Sequence, residues 1–223
     1  MEAVANIENR RPLKVRDANL AKLIARTLSQ KNITPNQISV MSIFFAALAG
    51  GFLYLTPRVA GIQAWAFPLL AAACIQLRLL CNLFDGMVAV EGGKKTPAGE
   101  LFNDIPDRIA DPIILIAAGY AVAVVSWGGA LGWCAALLAV MTAYVRTLGS
   151  SVGAPANFQG PMAKQHRMAV VTFACLVCAV EAAFFQQSYA MLFALSIVVV
   201  GCMITLYRRV MTIYHYLGAH KNV

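Results

Sequence analysis

Charge is scarce in this chain. Asp, Glu, Lys and Arg make up 13% of its 223 residues, about half the ~25% of an ordinary soluble domain. That shortage excludes a disordered chain and argues against a water-soluble globule. Acids are almost missing outside one segment: six of the ten (Asp85, Glu91, Glu100, Asp104, Asp107 and Asp111) fall between residues 85 and 111. The six cysteines lack the spacing of a metal site. Cys175 and Cys178 form a CxxC, but no second pair and no histidine at ligand spacing accompanies them, so they read as small buried apolar residues. The first 34 residues contain no apolar h-region, and no cleavable signal is expected. No repeat, low-complexity run or second domain is visible.

What is present is apolar. The AVILMFWYC set makes up 60% of the chain, and a membrane helix needs ~20 such residues in succession. Six stretches qualify, at about 36–55, 63–90, 99–125, 130–150, 163–185 and 188–211. The expected fold is therefore an all-α integral membrane bundle of six transmembrane helices in a single domain, 1–223. Residues 1–34 form a basic cytoplasmic segment, 35–216 the bundle and 217–223 a tail. Residues 17–30 read as an amphipathic helix lying in the interface, with Leu20, Leu23, Ile24, Thr27 and Leu28 on one face. A disordered basic arm is the plainer alternative. Thr34-Pro35-Asn36-Gln37 carries the pattern of a capping box with proline at the first helical position.

Loop charges orient the bundle. If six helices alternate, fourteen of the eighteen Lys and Arg fall on one side, among them Lys94, Lys95, Lys164, Arg167, Arg208 and Arg209; one, Arg58, falls on the other. Both termini are then cytoplasmic, in an inner or plasma membrane. The net charge of +8 suits anionic lipid headgroups. Scattered lysines without interleaved aromatics do not suggest nucleic acid.

Ionisable residues inside a membrane are costly and point to function. Here they recur at helical spacing. Arg78, Asn82, Asp85, Gly86 and Ala89 line one face near the end of the second span. Gly99, Asn103, Asp107 and Asp111, each four apart, line a face at the start of the third. The short linker makes these helices antiparallel neighbours with both faces at one cytoplasmic depth. Facing oxygen side chains suit a hard cation such as Mg2+, and the small residues admit a bulky ligand. The arrangement reads as a metal-assisted site for a phosphate-bearing substrate. A purely structural salt-bridge cluster, with Arg78 and Arg108 neutralising the acids, is the alternative; Asp104–Arg108, at i,i+4, reads as such a pair. Pro106 and Pro112 interrupt the third span, either freeing a carbonyl or shaping packing. Arg146, Lys164 and Arg167 could hold an anionic acceptor or a lipid phosphate; anchoring at the headgroups is the alternative. Glu181 reads as snorkelling outward.

The stretch Asn82–Asp111 resembles the signature of the CDP-alcohol phosphotransferase family. In words, that signature is Asp, two residues, Asp-Gly, two residues, Ala-Arg, about eight residues, Gly, three residues, Asp, three residues, Asp. Asp85-Gly86, Ala89, the spacing to Gly99, and Asp107 match it. Asn82 and Asn103 stand where two of its aspartates would be, and Val90 replaces its arginine. Thr34-Pro35-Asn36 and the basic interfacial helix are also similar to the family. The resemblance implies a homodimeric phosphatidyltransferase using CDP-diacylglycerol and a small alcohol acceptor at the cytoplasmic face. It implies Mg2+ or Mn2+, one or two ions, at Asn82, Asp85, Asn103 and Asp107. It makes Asp107 the general base and places the CDP donor at Gly86, Ala89 and Gly99. Asp104, Asp111 and Arg78 are expected as supports, Asp104 offering part of the missing charge. A cation transporter and a silent CDP-lipid-binding homologue are the competing functions. The acids' position at one cytoplasmic end argues against the transporter, whose site is expected near the midplane.

Overall fold

The structure is a computed structural model that describes residues 19–31, 33–91, 98–185 and 188–219. The expectations placed on Lys94, Lys95, the basic residues before 19 and the tail after 219 lie outside the described residues, as do the side chains of Glu91 and Glu100.

Among the described residues, seven α-helices follow one another: α1 (Asn19–Gln30), α2 (Pro35–Leu55), α3 (Ile62–Glu91), α4 (Gly99–Ala121), α5 (Gly128–Ser151), α6 (Lys164–Phe184) and α7 (Ala190–Ala219). No strand occurs among the described residues. Five of them, all but α1 and α4, are long and apolar enough to cross a membrane. α4 has 23 residues, also long enough to cross, but carries Asp104, Asp107, Arg108 and Asp111 in its first half. The expected bounds hold within a few residues at most ends. α4 stops four residues short of 125, and α7 runs eight past 211.

Local sequence explains several of these limits. The Thr34 side chain accepts from Gln37 N, and the Gln37 side chain accepts from Thr34 N, with Pro35 in the first turn. Both N-terminal donors are thus satisfied as the chain enters α2. Pro106 and Pro112 do not break α4; both stand inside one continuous helix. Glu181 does not snorkel. Its carboxylate accepts from Ser188 Oγ and from Tyr189 N and Ala190 N, capping α7 with an acid at the positive end of the helix.

Alanine dominates the core. Ala46, Ala49, Ala71, Ala110, Ala118 and Ala135 are buried around Leu53, Ile75, Ile114, Leu115 and Leu195. Small side chains let helix backbones approach where lipid removes the hydrophobic penalty for separation. The closest approach joins α4 to α5. A Cβ on Gly132 would stand 2.7 Å from Leu115 O and 2.8 Å from Gly119 Cα.

One expectation about the bundle changes. α2 packs against both α3 and α4, α4 also packs on α5, and α3 on α6. α3 and α4 are not packed closely on each other, despite the short linker. Residues 92–98 can span ~23 Å when extended, so the linker does not force contact. The two polar faces meet across a narrow gap that side chains close, Arg78 and Asn82 of α3 reaching Asp107 of α4. α1 also docks differently. Ala21 and Ala25 are buried with Ile38, Leu83, Met87 and Val88, while Leu23 is 61% exposed. The small residues face the bundle and that leucine faces out.

Candidate active site

The helical offsets read from the sequence put the polar groups where they can meet. α3 contributes Arg78 and Asn82, and α4 contributes Asp107 and Asp111. α6 begins with Lys164 and Arg167.

Asp107 is held at both oxygens. Its Oδ1 accepts from Arg78 Nη2 at 2.7 Å and from Asn82 Nδ2 at 2.8 Å. Its Oδ2 accepts from Lys164 Nζ. Asp111, one turn on, has Oδ1 2.7 Å from the same Arg78 Nη2 and Oδ2 2.7 Å from Arg167 Nη2. Arg78 is wholly buried, and Asp107 and Asp111 are nearly so. Charges withdrawn this far from water persist only when paired and hydrogen-bonded. The sequence offered Arg78 and Arg108 as neutralisers. Arg78 takes that role at Asp107 and Asp111, while Asp85 pairs with neither arginine among the described residues.

Asp85 is 4% exposed, and its Oδ2 accepts from Ser39 Oγ of α2. Its Oδ1 is buried without a hydrogen-bond partner among the described residues. An unsatisfied carboxylate oxygen at that depth marks a place for a donor or a cation. Lys164 and Asp107 are both within electrostatic reach of it.

Asp104 points elsewhere. It pairs with Arg108 Nη2 at 2.9 Å, as i,i+4 spacing foretold, and with Arg146 Nη2 at 3.2 Å. This corrects its expected part in making up missing charge beside Asp107. It instead holds two guanidiniums side by side. Arg146 also lies over the Phe158 ring, 5.5 Å from its centroid.

These groups border a cavity of about 470 Å3, lined by Asn82, Asn103, Asp104, Asp107, Arg108, Arg146, Lys164 and Arg167. Leu79, Leu80 and Leu83 of α3 form an apolar wall beside Gln76, and Thr142, Phe158 and Arg209 are among the remaining lining residues. The volume suits a ligand of nucleotide or headgroup size. Arg78 and Asp111 brace this cavity without lining it. Asp85, Gly86, Ala89 and Gly99 are not among its lining residues, so the expected donor positions stand apart from the cationic wall.

Sequence reasoning missed Arg209, Thr142, Ser39 and Phe158. Arg209 was read only as a charge that orients the bundle, near the end of the 188–211 span. In the longer helix it is buried, donating from Nε to Gln159 O at 3.0 Å and from Nη1 to Thr142 O. It fastens the 152–163 segment to α5 and α7. Gly160 (φ +118°) supplies the turn there; a Cβ would meet the Thr205 side chain. Arg167, allowed as a headgroup anchor, is likewise buried, on Asp111, Met162 O and Thr142.

No family model matches the chain. Archaetidylinositol phosphate synthase of Pyrococcus horikoshii is 24% identical over 162 residues, covering 71% of this chain and 77% of that protein. Phosphatidylinositol phosphate synthase of Mycobacterium tuberculosis, solved with CDP-DAG bound, superposes with a TM-score of 0.71 at 20% identity, covering 88% of this chain and 94% of that one. The same enzyme in complex with manganese and citrate gives 0.70 at 20% identity, covering 87% and 88%. In signature spacing and in fold, the chain is thus similar to these CDP-linked phospholipid synthases.

Proposed function

We propose that the chain is an integral-membrane transferase that moves a phosphatidyl group from CDP-diacylglycerol to an alcohol and releases CMP. Residues 1–223 act as one domain and as a homodimer. α2 to α7 are six spans, α4 crossing at the centre where its charges are paired. α1 lies in the interface with Leu23 toward lipid. Both termini and the site face the cytoplasm. The observation that carries the reading is Asp107, set in a cavity with cations on one wall and leucines on another. Such a cavity suits a substrate with an anionic head and apolar tails. The mycobacterial relative bears CDP-DAG.

The chemistry assigns each group a task. Arg78, Asn82 and Lys164 fix the Asp107 carboxylate in place. Asp107 takes the proton from the acceptor hydroxyl as that oxygen attacks the β-phosphorus. The new O–P bond forms, the bond to CMP breaks, and CMP leaves with its electron pair. Gly86, Ala89 and Gly99 let the CDP group approach the backbone. Lys164, Arg167 and Arg146 stabilise charge on the transferring phosphate or the acceptor. Asp85, Asn82, Asn103 and Asp107 would hold divalent metal, Mg2+ or Mn2+, which offsets charge on the diphosphate. Asp85 Oδ1, buried and unpartnered, fits that use. Five cations around the cavity favour a phosphorylated acceptor, and the relatives' names make an inositol phosphate the first to test.

The test is CMP release from CDP-diacylglycerol in detergent, with inositol phosphate, with and without Mn2+. Release that needs both is expected. Asp107→Asn should abolish it, and Asp85→Asn should shift its dependence to higher Mn2+. Full turnover in both variants would refute this site. Asn82 and Asn103 favour one second reading, a CDP-lipid-binding protein without turnover; lipid binding without CMP release from any alcohol would select it.

A further inference from the structure

The site holds fewer carboxylates than its signature implies and more cations close to them. Two of the four signature positions are amides. An amide offers a neutral oxygen but no charge, so four carboxylates can balance two divalent ions where two balance one. The geometry sharpens this. Asp107 Oδ1 can only accept, and Asn82 presents Nδ2 to it at 2.8 Å. A metal ion bridging residues 82 and 107 at that oxygen would have to displace a hydrogen bond that an aspartate could not make. Asp107 Oδ2 is taken by Lys164 Nζ. Both oxygens of the proposed base therefore face nitrogen donors.

Asp85 is different. It is more than nine-tenths buried and, among the described residues, makes no ion pair and keeps Oδ1 without a hydrogen-bond partner. Three carboxylates, Asp85, Asp107 and Asp111, already face four cations, the buried Arg78, Arg167 and Arg209 and the part-exposed Lys164. One added dication would leave this set at +3 for a diphosphate. Two would leave +5 on a donor set half made of amides.

We propose that the chain binds a single divalent cation, at Asp85, and that the Lys164 ammonium supplies at Asp107 the positive charge of a second ion. Lys164 begins α6, and its chain reaches the carboxylate while staying partly exposed. A tethered ammonium gives charge without coordination geometry and stays in place at any metal concentration. It would stabilise charge developing on the transferring phosphate, a contribution on the order of 100-fold in rate for one well-placed group.

This rests on the transferase reading of the same site, and the experiment separates the two. Mn2+ binding to the full chain in detergent is counted by electron paramagnetic resonance, which needs no turnover. The wild type should bind one ion. Asn82→Asp with Asn103→Asp should bind two. Lys164→Gln, which frees Asp107 Oδ2, should raise the count above one at high Mn2+. Asp85→Asn should lose the single site. Two ions, or none, in the wild type overturns the proposal, as does a count that stays at one in Lys164→Gln. The wild-type count decides even where a variant fails to fold. CMP release with two ions bound sinks this proposal and leaves the transferase. One ion bound without CMP release sinks the transferase and leaves the ion count.

Discussion

Arg78 meets its partners through a single nitrogen. Nη2 lies 2.7 Å from an oxygen of Asp107 and 2.7 Å from one of Asp111. Removing the guanidinium strands two carboxylates out of water, and breaking a buried pair costs about 3–5 kcal/mol. Arg78→Met should lower unfolding stability in detergent by that order. Asp104→Asn breaks two pairs that are part-exposed, where each is worth ~1 kcal/mol or less. Equal losses in the two variants would contradict the burial argument. Only some of this pairing was legible beforehand. The Arg78–Asn82 stripe and the Asp104–Arg108 pair follow from helical offsets within one element. Arg146–Asp104, Lys164–Asp107 and Arg167–Asp111 join residues 42, 57 and 56 positions apart. Periodicity shows which residues share a face, not which faces meet.

Element ends were readable where a local device sets them. The Thr34–Gln37 box and Pro35 fix the start of α2 from four consecutive residues. Where no such device acts, the apolar run misleads. α7 continues through Arg208 and Arg209 because both lie on a helix whose buried face persists to Arg209. The docked face of α1 was not legible, because small Ala21 and Ala25 carry it together with Leu28. Beside lipid, small residues mark a close helix contact. The same logic gives a prediction for the α4–α5 contact. Gly132→Ala places a methyl 2.7 Å from Leu115 O, a backbone atom that cannot turn aside. Overpacking of this kind costs about 1–3 kcal/mol. Gly51→Ala meets nothing within 4 Å and should leave the melting temperature in detergent nearly unchanged. Similar melting shifts in both variants would mean that the close approach is not required.

At the scale of the molecule, orientation is open to direct measurement. Ala60, between α2 and α3, and Ser151, at the end of α5, are both exposed. Under the proposed topology they sit on opposite membrane faces. In sealed vesicles of known sidedness, Ala60→Cys should react with an impermeant thiol reagent from the outer face alone, and Ser151→Cys from the cytoplasmic face alone. The native cysteines are first replaced, Cys134 above all because it is exposed. Labelling of both from one face would overturn the six-span arrangement. The composition made a membrane protein legible at once, and the signature spacing gave the resemblance that the fold also bears. The gap between α3 and α4 was not, because a short linker says how far two helices can separate and not how far they do.

That gap has a consequence for how the chain is made. An arginine at the centre of a lone helix opposes its entry into lipid by roughly 2.5–3.5 kcal/mol on insertion scales. Arg78 lies deep in α3, and both its acidic partners lie on α4, synthesised later. α3 therefore has reason to wait at the translocon until α4 emerges, so that Arg78 enters the bilayer already paired. Asp111 in turn keeps one oxygen for Arg167 of α6. The residues that brace the cavity in the finished protein thus also set the order in which its helices leave the ribosome's exit site for the bilayer.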